Sequence, residues 1–135
     1  MVLSKNIAFD IGANVGLWSD ANINNFDSII SIEASPYTFE KLKSRCKNSH
    51  TNLENYAICD NSGNDIKFYH AESDTISTLN KEWLTDRNSR FYNSNYKEII
   101  CKTKTIDDLI NKYGKPNLIK IDVEGGEYEC VKSLS

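Results

Sequence analysis

Ile7-Ala8-Phe9-Asp10-Ile11-Gly12-Ala13-Asn14-Val15-Gly16-Leu17-Trp18 (IAFDIGANVGLW) joins a short apolar run to an amphipathic one through two glycines. Ile7 to Ile11 has the length and composition of a buried strand, and beyond Gly16 the residues Leu17, Trp18 and Ala21 share one helical face. The segment therefore reads as strand, turn, helix. Its D-x-G-x-x-x-G pattern differs from the dinucleotide fingerprint G-x-G-x-x-G, which in this register needs glycines at 10, 12 and 15, where the chain has Asp10, Gly12 and Val15. An aspartate facing the turn repels a pyrophosphate and attracts a cation, while Gly12 leaves backbone N–H groups able to approach a ligand carboxylate. A cationic nucleoside fits this turn better than a dinucleotide does. A Walker phosphate loop is excluded, because Leu17 and Trp18 stand where Gly-Lys is required. The plainer alternative is a tight turn whose glycines serve packing alone.

The pattern repeats downstream. Ser28 to Ala34 is rich in β-branched residues and is followed by Ser35-Pro36, an N-cap and a proline at the first helical position, with Phe39, Leu42 and Cys46 recurring along one face. Leu53 to Cys59 reads as a third strand. The turn cluster Asp60 to Asn64 precedes alternating Ile66, Phe68 and His70, which predicts a hairpin appended to that strand. Residues 72 to 96 are polar and aperiodic, and suggest a short helix at Asn80 to Thr85 or a lid. Glu98 to Thr103 is a further strand candidate. Thr105-Ile106-Asp107-Asp108 fits a capping box, and Gly114 and Pro116 end the helix it opens. Leu118 to Val123 is the last strand, leading into a helix over Glu127 to Leu134. Strands alternating with helices predict one α/β domain over 1–135, a parallel sheet with helices on both faces whose ligands bind beyond the carboxyl ends of its strands.

Composition agrees with a single folded domain. Leu, Ile, Val and Phe supply 33 of 135 residues, enough for a core. Sixteen Lys+Arg against nineteen Asp+Glu give a net charge of −3 with no basic block, which argues against a nucleic-acid partner. Without a long apolar run or a signal peptide, the chain reads as soluble and cytoplasmic. Cys46, Cys59, Cys101 and Cys130 lack ligand spacing and read as reduced core thiols. His50 and His70 have no partner at metal-ligand spacing, so no metal site is expected.

Glu33 stands 21 residues after Gly12, close to the offset at which an acidic residue reaches ribose hydroxyls. A solvated strand-end carboxylate is its bland alternative. Taken in order, FDIGANVGLWS (Phe9 to Ser19), SIEASPYTFEKLK (Ser31 to Lys43), NYAICDNSGNDIKFY (Asn55 to Tyr69), KTKTIDDLI (Lys102 to Ile110) and LIKIDVEGGEYE (Leu118 to Glu129) resemble the FkbM-type S-adenosylmethionine-dependent methyltransferases. The resemblance implies a Rossmann-like doubly wound, mostly parallel sheet of core order 3-2-1-4 with an appended hairpin, S-adenosylmethionine as methyl donor, and O-methylation of a hydroxyl on a sugar or small metabolite, with a glycan or small molecule as partner. It implies that Asp10, Gly12 and Asn14 hold the methionine end, with Ala13 and Gly16 in the same turn. Glu33, with Ala34 beside it, would hold the ribose, and Tyr56 and Ala57 the adenine edge.

Asp122 and Glu124 fall at the end of the last strand and, two residues apart, point the same way. Either could take a proton from an acceptor hydroxyl, or both could share a divalent ion. Their plainer role is to favour the following helix N-terminus. Trp83 and Phe91 suit either an acceptor cover or a lid anchor. The family's domain continues with further strands beyond D-V-E-G, whereas this chain stops at Ser135. An open edge on the last strand is therefore expected, with self-association or marginal stability. Two competing readings stay open: a degenerate, non-catalytic S-adenosylmethionine-binding fragment, and a nucleotide-binding regulatory domain.

Overall fold

A computed structural model describes residues 5–71, 96–123 and 134 of the chain. Strand β1 (Ile7–Ile11) is buried along its whole length because it lies in the middle of a four-stranded sheet. It pairs in parallel with β2 (Ser28–Ile32) on one side and β7 (Leu118–Ile121) on the other, and β2 pairs in parallel with β3 (Thr51–Glu54). The order β3-β2-β1-β7 is the expected 3-2-1-4 arrangement, with β7 as the fourth core strand.

Local signals fix the helices. Helix α1 (Leu17–Asn22) follows the glycine turn. In α2 (Pro36–Arg45) the Ser35 hydroxyl accepts from the Thr38 N–H while Pro36 presets the first turn, and Leu42 is buried. Helix α3 (Ile106–Tyr113) opens with the full capping box: the Asp108 N–H donates to Thr105 Oγ1 at 3.0 Å, and the Thr105 N–H to Asp108 Oδ2 at 2.9 Å. Ile106 and Leu109 then close over Phe9, Ile11, Ile30 and Ile32 to form the main core.

One expectation is corrected. Leu53 to Cys59 is not one strand: the chain leaves the main sheet after β3 and re-forms as β4 (Ala57–Ile58) in a second, three-stranded sheet of order β4-β6-β5. There β6 (Tyr96–Lys104) runs parallel to β4 and antiparallel to β5 (Asp65–Ala71), so β5 pairs with β6 and not with the third strand. The break has a clear cause. The Asn55 amide donates to the carbonyls of Glu33 and Ala34 at 2.8 and 3.1 Å and draws the chain across the end of β2. Just before it, the Glu54 carboxylate accepts from Lys112 Nζ at 2.8 Å and from the Tyr113 hydroxyl at 3.0 Å, which pins β3 to α3.

Among the described residues β7 has one strand neighbour, β1. Cys59 and Cys101 are buried free thiols, and Cys46 is half-buried. The proposed helix at 80–85, Trp83, Phe91, Cys130, Glu124 and the helix over 127–134 fall outside the described residues, Leu134 excepted.

Two glycines separate backbone strain from crowding. Gly12 and Gly63 have similar φ values of +82° and +76°, but a Cβ on Gly12 would lie 2.1 Å from the Asp122 carbonyl oxygen, whereas nothing lies within 4 Å at Gly63. We expect Gly63→Ala to lose about 1–2 kcal/mol, the left-handed penalty alone, and Gly12→Ala to lose clearly more because β7 must move. Urea unfolding of both variants reads the difference. Equal losses would mean that the turn does not press on β7.

Candidate functional site

The ends of β1, β2 and β7 meet at the turn Gly12 to Gly16. Positive φ at Gly12, Asn14 (55°) and Gly16 (90°) coils it tightly, and Asn14 is among the few residue types that tolerate this region. The Gly16 Cα faces Leu42 of α2, whose Cδ1 would stand 2.8 Å from a Cβ there. The turn is therefore held from both sides, by the end of β7 at Gly12 and by α2 at Gly16.

Its amides differ from the expectation. The Gly12 and Ala13 N–H groups both donate to the Ile32 carbonyl at 2.9 Å, and the Asn14 N–H donates to Glu33 Oε1 at 2.9 Å. These three donors tie the turn to the end of β2 instead of pointing at an open ligand site. The packing role of the glycines is thereby borne out at this turn.

Glu33 is 7% exposed and stands just past β2. Oε1 holds the Asn14 amide, and Oε2 accepts from the Ser35 N–H at 2.9 Å. These two bonds orient the carboxylate. Beyond it lies a cleft of about 430 Å³ lined by Ala34, Pro36, Phe39, Asn55, Tyr56 and Cys101 among others. Tyr56 has Lys104 Nζ 4.4 Å from its ring centroid. Ala57 does not line the cleft; it is buried beside Cys101, with Ala34 packed against them. The Cys101 thiol donates to the Ala34 carbonyl, and burial pushes its pKa up to about 12.

Asp10 does not face the open side of the turn. The β-sheet register sets Ser31, Asp10 and Lys120 in one row across β2, β1 and β7, and Ser19 of α1 lies against that row. The Asp10 side chain is 0% exposed, accepts from Ser19 Oγ at 2.7 Å, and lies 3.6 Å from Lys120 Nζ. Burial raises its pKa, while the Ser19 hydroxyl and the Lys120 ammonium pull it back down. Asp122, on the same side of β7 and 62% exposed, lies 3.8 Å from the same ammonium. Its own N–H is anchored on the Ile11 carbonyl at 2.9 Å.

The structure thus brings Asp10, Gly12, Ala13, Asn14, Gly16, Glu33 and Asp122 together at the strand ends, with Ala34 and Tyr56 along the adjoining cleft. Sequence reasoning did not assign Ser19, Ser31, Asn55 or Lys120. Lys120 had a visible signal: a lysine in an otherwise apolar strand, two residues before an aspartate, needs a carboxylate within reach. Among the described residues four carboxylates (Asp10, Asp20, Glu33, Asp122) stand around the turn against two cations, Lys120 and the Arg45 guanidinium on the Val15 carbonyl, and this excess of negative charge suits a cationic ligand and opposes a pyrophosphate.

A family model described as the Methyltransferase FkbM domain matches residues 10–135. No curated protein matches the chain. Among solved structures, one described as an S-adenosylmethionine-dependent methyltransferase from Listeria monocytogenes is similar at 13% identity and a TM-score of 0.39, covering 78% of this chain and 73% of the other.

The buried aspartate has a pH signature. Its folded pKa lies above the unfolded value near 3.8, so within that window the folded state holds more protons than the unfolded state. The stability contributed by protonated Asp10 is therefore lost as pH rises through its folded pKa. We expect Asp10→Asn to gain on the wild type in urea unfolding as pH rises from about 3.5 to 7. A stability gap independent of pH would contradict the burial of this charge.

Proposed function

Because the chain belongs to the FkbM methyltransferase domain family, we propose that it transfers a methyl group from S-adenosylmethionine to a hydroxyl of a sugar or other small molecule, at the joined ends of β1, β2 and β7. The observation that carries this reading is Glu33. Its two oxygens are oriented by amides from two different loops at the end of β2, 21 residues after Gly12, where an acidic side chain reaches ribose hydroxyls.

The residues fit the donor. Glu33 binds the ribose hydroxyls, and the cleft from Ala34 to Tyr56 receives the adenine, with Ala57 as its buried backing. The turn over Gly12, Ala13, Asn14 and Gly16 lies against the methionine end. Asp10 acts on that end from beneath, through its contribution to the negative field and through the set of the turn, and not by direct contact. S-adenosylmethionine supplies a methyl carbon already activated by its sulfonium, so the protein's part is mainly positioning.

Asp122 is the group for the acceptor side. It is exposed, sits against Gly12 through its backbone carbonyl, and follows the last residue of β7 beside the cofactor strand. A carboxylate there takes the acceptor's hydroxyl proton, a contribution of roughly 10² to 10⁴-fold. Glu124, two residues on, is the second candidate for that role. No described helix is long and apolar enough to cross a membrane.

The test is calorimetric. Glu33→Gln keeps the shape and one acceptor oxygen, and we expect it to weaken S-adenosylmethionine and S-adenosylhomocysteine equally, by about 1.5–3 kcal/mol, as for loss of hydrogen bonding to a charged group. Circular dichroism checks that the fold is retained. Unchanged affinity for both ligands would contradict the ribose assignment. An effect on S-adenosylmethionine alone would place Glu33 at the sulfonium instead.

A further inference from the structure

We propose that Lys120 is a positioning residue of this methyltransferase site: it shares one ammonium between buried Asp10 and exposed Asp122, and so holds the Asp122 carboxylate in one orientation at the end of β7. The inference rests on the functional reading given above. Ser19 has one hydroxyl hydrogen, and it goes to Asp10 Oδ2; the 2.7 Å contact between Ser19 Oγ and Ser31 Oγ is therefore donated by Ser31. The chain runs from Ser31 to Ser19 to Asp10 and ends on Oδ2.

Asp10 Oδ1 is left buried without a hydrogen-bond partner. What it has is Lys120 Nζ at 3.6 Å, an ion-pair distance longer than a hydrogen bond. A buried carboxylate deprived of its counter-charge is strongly unfavourable, so the ammonium is held near Oδ1. Trp18 adds a wall, with its ring centroid 5.9 Å from Nζ. The Lys120 side chain is 29% exposed, so its charge still reaches the surface on which Asp122 lies, 3.8 Å away.

This differs from an ordinary surface pair. Such pairs contribute little because two long side chains must be ordered for one weak contact. Here Asp10 has already ordered the lysine, and only the short Asp122 side chain remains to be fixed. Proton transfer needs the base within about 2.6–3.2 Å of the hydroxyl, so the orientation of Asp122 bears on its use. Asp10 is thereby linked to the acceptor side without touching a ligand.

The experiment uses the full chain, isotope-labelled, and reads the Asp122 χ1 rotamers from three-bond NMR couplings in the absence of ligand. We expect one dominant rotamer in the wild type and in Lys120→Arg. In Lys120→Met the ratio of dominant to minor rotamers should fall roughly three- to fivefold, as for loss of one exposed ion pair. Should Lys120→Met fail to fold, the wild type in rising sodium chloride gives the same readout, because screening loosens the exposed pair first. Averaged rotamers in the wild type at low salt, or an unchanged rotamer in Lys120→Met or at high salt, would overturn the proposal. S-adenosylmethionine is titrated into the wild type in parallel. Absence of binding would overturn the functional reading, and with it the role in methyl transfer, whereas binding with indifferent couplings would overturn the role of Lys120 alone.

Discussion

The carboxylate of Glu33 is the joint on which this architecture turns. One oxygen holds the amide of Asn14 in the glycine turn, and the other holds the amide of Ser35 at the start of α2. Nearby, the Glu33 and Ala34 carbonyls receive the Asn55 amide, which ends β3 and sends the chain toward the second sheet. Three connections thus converge within two residues of the end of β2. A group ordered by two backbone donors loses little further freedom on binding a ligand, which is why a structural joint can also serve as a binding group.

Beneath that joint the charges are arranged in depth. Asp10 lies buried in the middle of the sheet, Lys120 spans from it to the surface, and Asp122 stands outermost on the same side of β7. Burial penalises the innermost carboxylate, and Ser19 and Lys120 offset part of that penalty. Retaining a charged group at such a position in place of an apolar residue calls for a reason beyond stability. The negative field it contributes at the glycine turn suits a sulfonium ligand.

Much of this was legible in the sequence, and what escaped has a physical cause. The alternation of apolar runs with capped helices is local information, so the parallel sheet, the Ser35-Pro36 start and the Thr105–Asp108 box could be read directly, whereas the order β3-β2-β1-β7 came with the family resemblance. The break at Asn55 could not, because a single poor strand former does not by itself end a strand and the interruption depends on carbonyls more than twenty residues away. The orientation of Asp10 escaped for a similar reason. Its place in the D-x-G motif suggests a ligand contact, but the pairing of β1 with β2 and β7 turns it toward Ser31 and Lys120. The amides of Gly12, Ala13 and Asn14 likewise take partners from β2 that no pattern within the turn reveals.

The central claim is that the joint at Glu33 is also the cofactor site, and amide chemical shifts of the wild-type chain test it most directly. On titration with S-adenosylmethionine, the Asn14 and Ser35 N–H resonances should move together and saturate with a single affinity, because both protons rest on the carboxylate proposed to take the ribose. Shifts confined to the β5–β6 sheet, or unmoved Asn14 and Ser35 resonances at saturating ligand, would contradict the account.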